Sequence, residues 1–306
     1  MSVKIKVNHE QANIRLDKFL CQKFDISFGL AQKVIREKKI KVNGKRPDAS
    51  YKINESDEIE IFADLKNRFE TIKQKPTISK EKITKFLSCK IFEDENLIAI
   101  NKPSGLAVQA GSGIDISLDD ILQKINQEDK TQNLQLVHRL DKDTSGILLI
   151  AKGKKSAEFL VDCFKNKTIA KTYLALVYGD VKKESGVINI PLRKKFVNKN
   201  EKVYPDFEEG KEAITNFKLL KQFKGYALLE LNPITGRTHQ IRVHCKEIGN
   251  PVLNDIKYGG PKSQMKNVSN RLCLHAYKIK IENYFGSTLC IDSDLPEFLP
   301  ETILKK

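Results

Sequence analysis

Residues 147–151 (ILLIA) leave little choice of local structure. An unbroken apolar run of that length, bounded by Gly146 and Lys152, suits one buried strand and is too short for a buried helix. The residues before it are its opposite. From His138 to Gly146 (HRLDKDTSG) every position except Leu140 is polar or turn-forming. A polar loop held by a core strand is where proteins tend to place chemistry. This loop offers two carboxylates, Asp141 and Asp143, beside Arg139, with Thr144-Ser145-Gly146 to turn the backbone. The same residue types also build ordinary turns. The rest of the chain has to decide between turn and active site.

A length of 306 residues allows about two domains with their own cores. No apolar run approaches the ~18 residues of a membrane span. The N-terminal MSVKIKVNHEQ lacks the apolar stretch and small-residue cleavage site of a secretion signal, so a cytoplasmic protein is expected. The six cysteines are scattered without a C-x-x-C pair and read as thiols in a reducing compartment, neither a disulfide frame nor a zinc site. The net charge of +15 suits a polyanionic partner, either nucleic acid or an anionic surface. Its distribution is uneven. Residues 1–75 carry thirteen Lys and four Arg against five Asp and six Glu, a surplus of +6. Residues 33–46 alone carry seven basic residues and one Glu, so the whole surplus sits in fourteen residues.

Along the chain, residues 14–24 have helical apolar spacing, and Ser27 is placed to cap a second helix over 28–39. A strand at 40–42, an Asn43-Gly44 turn and a strand at 57–62 complete a small basic module spanning 13–65. Residues 66–84 are polar, basic and broken by Pro76, as a linker would be. From 85 to 306 the texture is that of a second domain. It predicts strands near 91–101, 172–178, 187–190, 214–220, 226–231, 272–281 and 288–291. Helices are predicted at 118–125, at 157–164 with Ala157, Leu160, Val161 and Phe164 inward, and from a Thr238 cap to about 248. Strands without regular βαβ spacing argue for an α+β fold around a mixed, largely antiparallel sheet with flanking helices. Lys102, in the rigid NKPSG turn, is placed to meet a phosphate.

Four motifs occur in order: NKPSG (101–105), HRLDKDTSG (138–146), AKTYLALV (170–177) and GRTHQIRVH (236–244). Together they resemble the RluA-type pseudouridine synthases, over residues from about 14 to 295. The stretch AVQAGSG (107–113) and the N-terminal module, which resembles an S4 RNA-binding domain, are most like the RluC branch that modifies large-subunit (23S) ribosomal RNA. One departure is visible. Many relatives have Gly where this chain has Asn254, which predicts an altered turn there.

The resemblance implies a bent pseudouridine synthase sheet and a reaction that isomerises uridine to pseudouridine. Atoms and electrons are conserved, so no metal or cofactor is expected. By that match Asp141 is the catalytic carboxylate, Arg242 its charge partner, and Tyr173 the aromatic that stacks on the target base. Arg139 is implied in prying the nucleotide from its stack, a step costing a few kcal/mol. Asp143 is left as a loop-structuring residue. His239 and His244 read as hydrogen-bonding groups, since a His pair five apart with no third ligand is poor evidence for zinc. RNA contacts are expected from Lys33, Arg36, Lys38, Lys39, Lys41, Lys45 and Arg46 in the first module and from Lys102 and Arg237 in the second. A monomer is expected. Two other readings stay open: a non-catalytic RNA-binding or ribosome-assembly factor, and a synthase acting on tRNA.

Overall fold

The computed structural model describes residues 2–24, 26, 28–48, 50–62, 78–110, 114–129, 131–197 and 200–299. The chain divides into two compact units, residues 1–79 with 109–121 and residues 80–108 with 122–306.

In the first unit, β1 (Ser2–Lys6) is followed by α1 (Leu16–Phe24), α2 (Phe28–Arg36), β2 (Ile40–Val42) and β3 (Glu58–Phe62). The strands form an antiparallel sheet in the order β1-β3-β2. The module therefore reaches back to Ser2, beyond the start at residue 13 read from the sequence. Leu16, Phe19 and Leu20 of α1 and Val34 and Ile35 of α2 close over Ile40, Ile59 and Ile61, all buried. Each such side chain removed from water contributes about 1.5–3 kcal/mol. The second helix stops at Arg36, short of Lys39, because Lys38 turns left-handed at φ 59°. Lys38 N–H then donates to Ile35 O and Lys39 N–H to Val34 O, closing the last carbonyls of the helix. Ser27, the expected cap, residues 63–65 at the end of the expected module and residues 66–77 of the expected linker lie outside the described residues.

The second unit opens with α3 (Lys80–Leu87), which occupies the end of the stretch read as linker. Then come β4 (Lys90–Glu93), β5 (Leu97–Lys102), α4 (Leu118–Glu128, which crosses the division at residue 121), β6 (Leu134–Leu136), β7 (Ser145–Lys152) and α5 (Lys154–Lys165). β8 (Ile169–Tyr178), β9 (Ser185–Asn189), β10 (Leu192–Val197), β11 (Asn200–Pro205), β12 (Ile214–Phe223) and β13 (Tyr226–Pro233) follow. Last are α6 (Gln240–Glu247), β14 (Leu274–Tyr284) and β15 (Ser287–Asp292). On α5 the inward residues are Ala157, Leu160 and Cys163, whereas Val161 faces solvent. The β10–β11 hairpin has no counterpart in the sequence reading. Its alternation is hidden by charged residues along both strands.

The main sheet runs β4-β5-β7-β14-β8-β13-β12-β9, with β6 beside β7 and β15 beside β14. Every pairing in it is antiparallel except β7 with β14. That parallel contact is brief: Ser145 faces His275 and Gly146 faces Ala276, after which β15 takes the place beside β14. The fold is thus mixed α and β, as expected, and two antiparallel halves meet over two residue pairs. Gly146 sits at the seam with φ 107°, and a Cβ there would overlap the Ala276 carbonyl. The loop that carries Asp141 enters β7 at this seam.

Candidate active site

The loop ahead of β7 is fixed on both sides. Thr144 N–H donates to Asp141 O at 3.1 Å, forming a tight turn within it. On one side the 103–106 turn is braced against it. Gly105 N–H donates to Lys142 O at 2.9 Å, and Ser104 Oγ donates to Asp143 O at 2.7 Å. On the other side Ser145 Oγ and His275 Nδ1 are 2.8 Å apart, and His275 Nε2 meets Ser293 Oγ at 2.8 Å. His138 anchors the loop's start, its Nε2 accepting Leu149 N–H at 2.8 Å while its ring stacks on Phe164. Desolvation, with Lys171 nearby, pushes His138 down to about 3 and keeps that nitrogen an acceptor.

Lys102 is not the phosphate contact that its place in the sequence suggests. It is fully buried, with 0% of its surface exposed, and cannot reach a phosphate. Its Nζ donates to Pro103 O, Leu106 O and Lys142 O at 2.9–3.0 Å, so one ammonium ties the NKPSG turn to the Asp141 loop. An ammonium has three hydrogens and no acceptor capacity, and all three are used. Burial pushes its pKa down to about 8, opposed by the charges of Asp143 and Asp141.

Arg242 comes from α6. The helix begins at Gln240 rather than at a Thr238 cap, because His239 adopts a left-handed φ of 53° and occupies the cap position. The Gln240 side chain instead ties the start of the helix to the segments beside it. Its Oε1 accepts from Arg237 N–H and Thr235 Oγ1, and its Nε2 donates to Ile214 O and Thr215 Oγ1. His244 continues this network, placed between Thr215 Oγ1 at 3.0 Å and Ile190 O at 3.1 Å. With the helix held, the Arg242 fork is shared. Nε and Nη2 donate to the two oxygens of Asp255 at 2.8 Å each, and Nη1 reaches Asp141 Oδ2 at 3.3 Å. Asp255, itself 1% exposed at its side chain, also accepts Lys257 and Tyr258 N–H. Desolvation opposes the guanidinium charge, but Asp255 and then Asp141 outweigh it and raise the Arg242 pKa. A bidentate anchor through Nε and Nη2 leaves Nη1 to face Asp141.

Asp141, His239, Gln240 and Arg242 line a cleft of about 530 Å³. Tyr173 of β8 lines it too, its phenol pushed up by burial and by the charge of Asp141, so that the hydroxyl keeps its proton. Arg139 and Arg237 are exposed at the cleft, and Arg237 Nε donates to Glu212 O at 2.9 Å. The structure therefore brings Asp141, Arg242, Tyr173, Arg139 and Arg237 into one place from separate segments of the chain. The cleft combines an ionisable carboxylate, a fixed counter-charge, an aromatic face and a cationic rim. Such a set suits a nucleotide whose base needs stacking and whose sugar needs a carboxylate.

An RNA pseudouridylate synthase family model matches residues 96–247, and an S4 domain model matches residues 14–59. The ribosomal large subunit pseudouridine synthase C of Rickettsia bellii is 39% identical over 307 residues, covering 96% of this chain and 98% of that one. Its namesake in Vibrio vulnificus is 36% identical, covering 90% and 87%. The chain belongs to the RNA pseudouridylate synthase family. A solved structure, human RNA pseudouridylate synthase domain containing 4, is similar with a TM-score of 0.59 and 26% identity, over 71% of this synthase and 92% of that chain.

Sequence reasoning missed Asp255, which stands thirteen residues after Arg242 with no periodic relation to it. It also missed Tyr258, whose hydroxyl lies 2.7 Å from His239 Nδ1. Asn254, where many relatives have Gly, stands in a left-handed turn. Its φ of 58° is a conformation glycine favours and asparagine tolerates, and its amide bridges Met265 N–H and Ser269 O. In the first unit Lys33, Arg36, Lys38, Lys45 and Arg46 are exposed, while Lys39 and Lys41 are half-buried. Lys33 and Lys39 both approach Glu37, at 3.9 and 3.2 Å. Among the described residues no helix is long and apolar enough to cross a membrane.

Proposed function

We propose that this synthase isomerises chosen uridines of large-subunit (23S) ribosomal RNA, with Asp141 as the reacting carboxylate on a flipped-out nucleotide. The Asp141–Arg242 contact at the cleft, made across 101 residues and anchored by Asp255, carries this reading. A carboxylate shielded by a bound base tends to take up a proton, and the guanidinium counters that tendency. Tyr173 stacks on the target base, and Arg139 at the exposed rim assists extrusion of the nucleotide. The first unit, with the cations of residues 33–46, holds neighbouring RNA, and Arg237 contacts phosphate at the cleft. The relatives in Rickettsia bellii and Vibrio vulnificus, which are named for the large ribosomal subunit and match over most of their length, support this substrate.

The net change moves one hydrogen from C5 to N1 of the base and rejoins C1′ to C5, so it needs no oxidant, metal or cofactor. The enzyme acts as a monomer in the cytoplasm, where its substrate is. Pseudouridine mapping of ribosomal and transfer RNA, in cells with and without the protein, tests the reading. Loss of specific large-subunit positions is expected. An unchanged map, or losses confined to tRNA, would overturn it.

A further inference from the structure

His239 is held in a way that hydrogen bonding within a loop does not require. Its backbone is left-handed, with φ 53° and ψ 17°, a conformation that non-glycine residues adopt only at a cost. It stands at the cap position of α6 yet gives no side-chain cap to the helix, because the ring is engaged elsewhere. Nδ1 lies 2.7 Å from Tyr258 Oη, and Nε2 lies 3.8 Å from Asp141 Oδ2. Tyr258 Oη also accepts Val203 N–H of β11 at 3.1 Å.

We propose that His239 is a positioning residue for Asp141, locked by Tyr258 in the tautomer that presents an Nε2 hydrogen to Oδ2. The inference rests on the reading of Asp141 as the reacting carboxylate. The hydrogen count supports it. Tyr258 has one hydrogen to give, Val203 N–H can only donate to its oxygen, and His239 Nδ1 is the hydroxyl's other partner, so that hydrogen is directed to His239 Nδ1. A neutral imidazole that accepts at Nδ1 carries its proton on Nε2. The opposite tautomer would turn a lone pair toward the Asp141 carboxylate. Desolvation lowers the His239 pKa and outweighs the attraction of Asp141, with Arg242 and Lys257 acting in the same direction, so the ring stays neutral.

Arg242 Nη1 and His239 Nε2 both address Oδ2. One hydrogen bond from Arg242 and one N–H facing the same oxygen orient the carboxylate and leave Oδ1 to engage the ribose. At 3.8 Å the His239 contact is electrostatic rather than a hydrogen bond. A movement of about 1 Å would make it one, and misplacements of that size carry up to about 100-fold in rate. Tyr258 also packs with Leu192 and Val203 of the β10–β11 hairpin, so the hairpin's docking and the His239 tautomer share one phenol.

The test compares His239→Ala, His239→Gln, Tyr258→Phe and the double variant His239→Ala/Tyr258→Phe on an rRNA fragment. Unfolding midpoints and RNA dissociation constants are measured alongside. For His239→Ala, kcat is expected to fall at least about tenfold with KM within about twofold and unchanged RNA affinity. His239→Gln, whose amide restores a donor, should recover most of kcat. Tyr258→Phe should lower kcat in the native background and have no effect once His239 is alanine, because its contribution passes through the ring. A native kcat for His239→Ala overturns the inference. So does a His239→Gln no better than alanine, or a Tyr258→Phe penalty of equal size in both backgrounds, which would mean the phenol only anchors the hairpin. Asp141→Asn is the control. If that variant is inactive while His239→Ala is native, only this inference fails; if it turns over, the reading of Asp141 fails as well.

Discussion

The cleft and the N-terminal module use charge in opposite ways. In the cleft the Arg242 side chain is 7% exposed and that of Asp255 1%, and each donor is matched to a particular oxygen. In the module most of the cations of residues 33–46 stand in water, and Lys33 and Lys39 share the single carboxylate of Glu37 at 3.2 Å or more. A buried pair is costly to break because its survivor is left uncompensated in a poor dielectric, by about 3–5 kcal/mol. An exposed cation contributes through the counterions it displaces from a polyanion, roughly additively and with strong salt dependence. The first arrangement specifies a geometry; the second supplies attraction with little demand on position.

The sharpest way to separate the two regions is Asp141→Asn. Turnover is expected to vanish, by at least about 10³-fold, while the RNA dissociation constant stays within a few-fold. Pseudouridine yield by nucleoside mass spectrometry and a filter-binding titration read the two quantities independently. If affinity collapsed together with turnover, the cleft carboxylate would be part of binding and the contrast would fail.

Arg242→Gln should be nearly as damaging, and to stability as well. Asp255 keeps its two backbone donors but is left without its counter-charge, at a cost of about 3–5 kcal/mol seen as a lower denaturation midpoint. Arg242→Lys should not restore turnover, since one ammonium cannot serve both oxygens of Asp255 and still reach Asp141.

Acid should weaken the second unit at its histidines. Burial lowers all four there, His138 to about 3 and His275 to about 4, with His239 and His244 moved the same way. The unfolded chain binds protons near pH 6.5 while the folded chain does not, so stability is complete above about pH 6.5 and declines as pH falls toward 3. The unfolding midpoint should drop by several degrees over that window. His138→Gln, which keeps an acceptor for Leu149 N–H without a titrating ring, should make the decline shallower. A decline equally steep in that variant would remove His138 from the explanation.

The smallest effect belongs to the module. Replacing Lys38, Lys45 and Arg46 by Gln should weaken RNA binding and reduce the slope of log K against log salt by about 0.7–0.9 for each phosphate no longer neutralised. Turnover at saturating RNA should not change. An unaltered slope would show that these exposed cations meet no phosphate.

Much of this was legible in the chain. The apolar run at 147–151 is fully buried in β7, and β8, β12, β13 and β14 lie where period and apolar content put them. Strand and helix periodicity are local properties, so local sequence carries them. The motif residues Asp141, Tyr173 and Arg242 could be named because their surroundings repeat a recognisable pattern. Other expectations failed for reasons a linear reading does not contain. Lys102 looks like a surface cation beside a turn, and only the approach of Leu106 and Lys142 carbonyls makes it an internal clamp. Thr238 looks like a helix cap, and only the Tyr258 and Asp141 partners of the next residue explain why the helix starts later.

Local pattern was therefore enough to place Asp141 on a polar loop feeding a buried strand, to set a basic module ahead of a strand-rich domain, and to reveal the family resemblance. Which charges face one another is a property of the folded chain. Asp141, Arg242 and Asp255 meet because β7 and β14 join two half-sheets over two residue pairs, and because Gln240 and Thr235 hold the start of α6 against β12. Hydrogen bonds and ion pairs act over about 3 Å. Asp141 and Arg242, whose contact defines the cleft, stand 101 positions apart in the chain. Separation along the sequence says nothing about such a meeting until the sheet has been assembled.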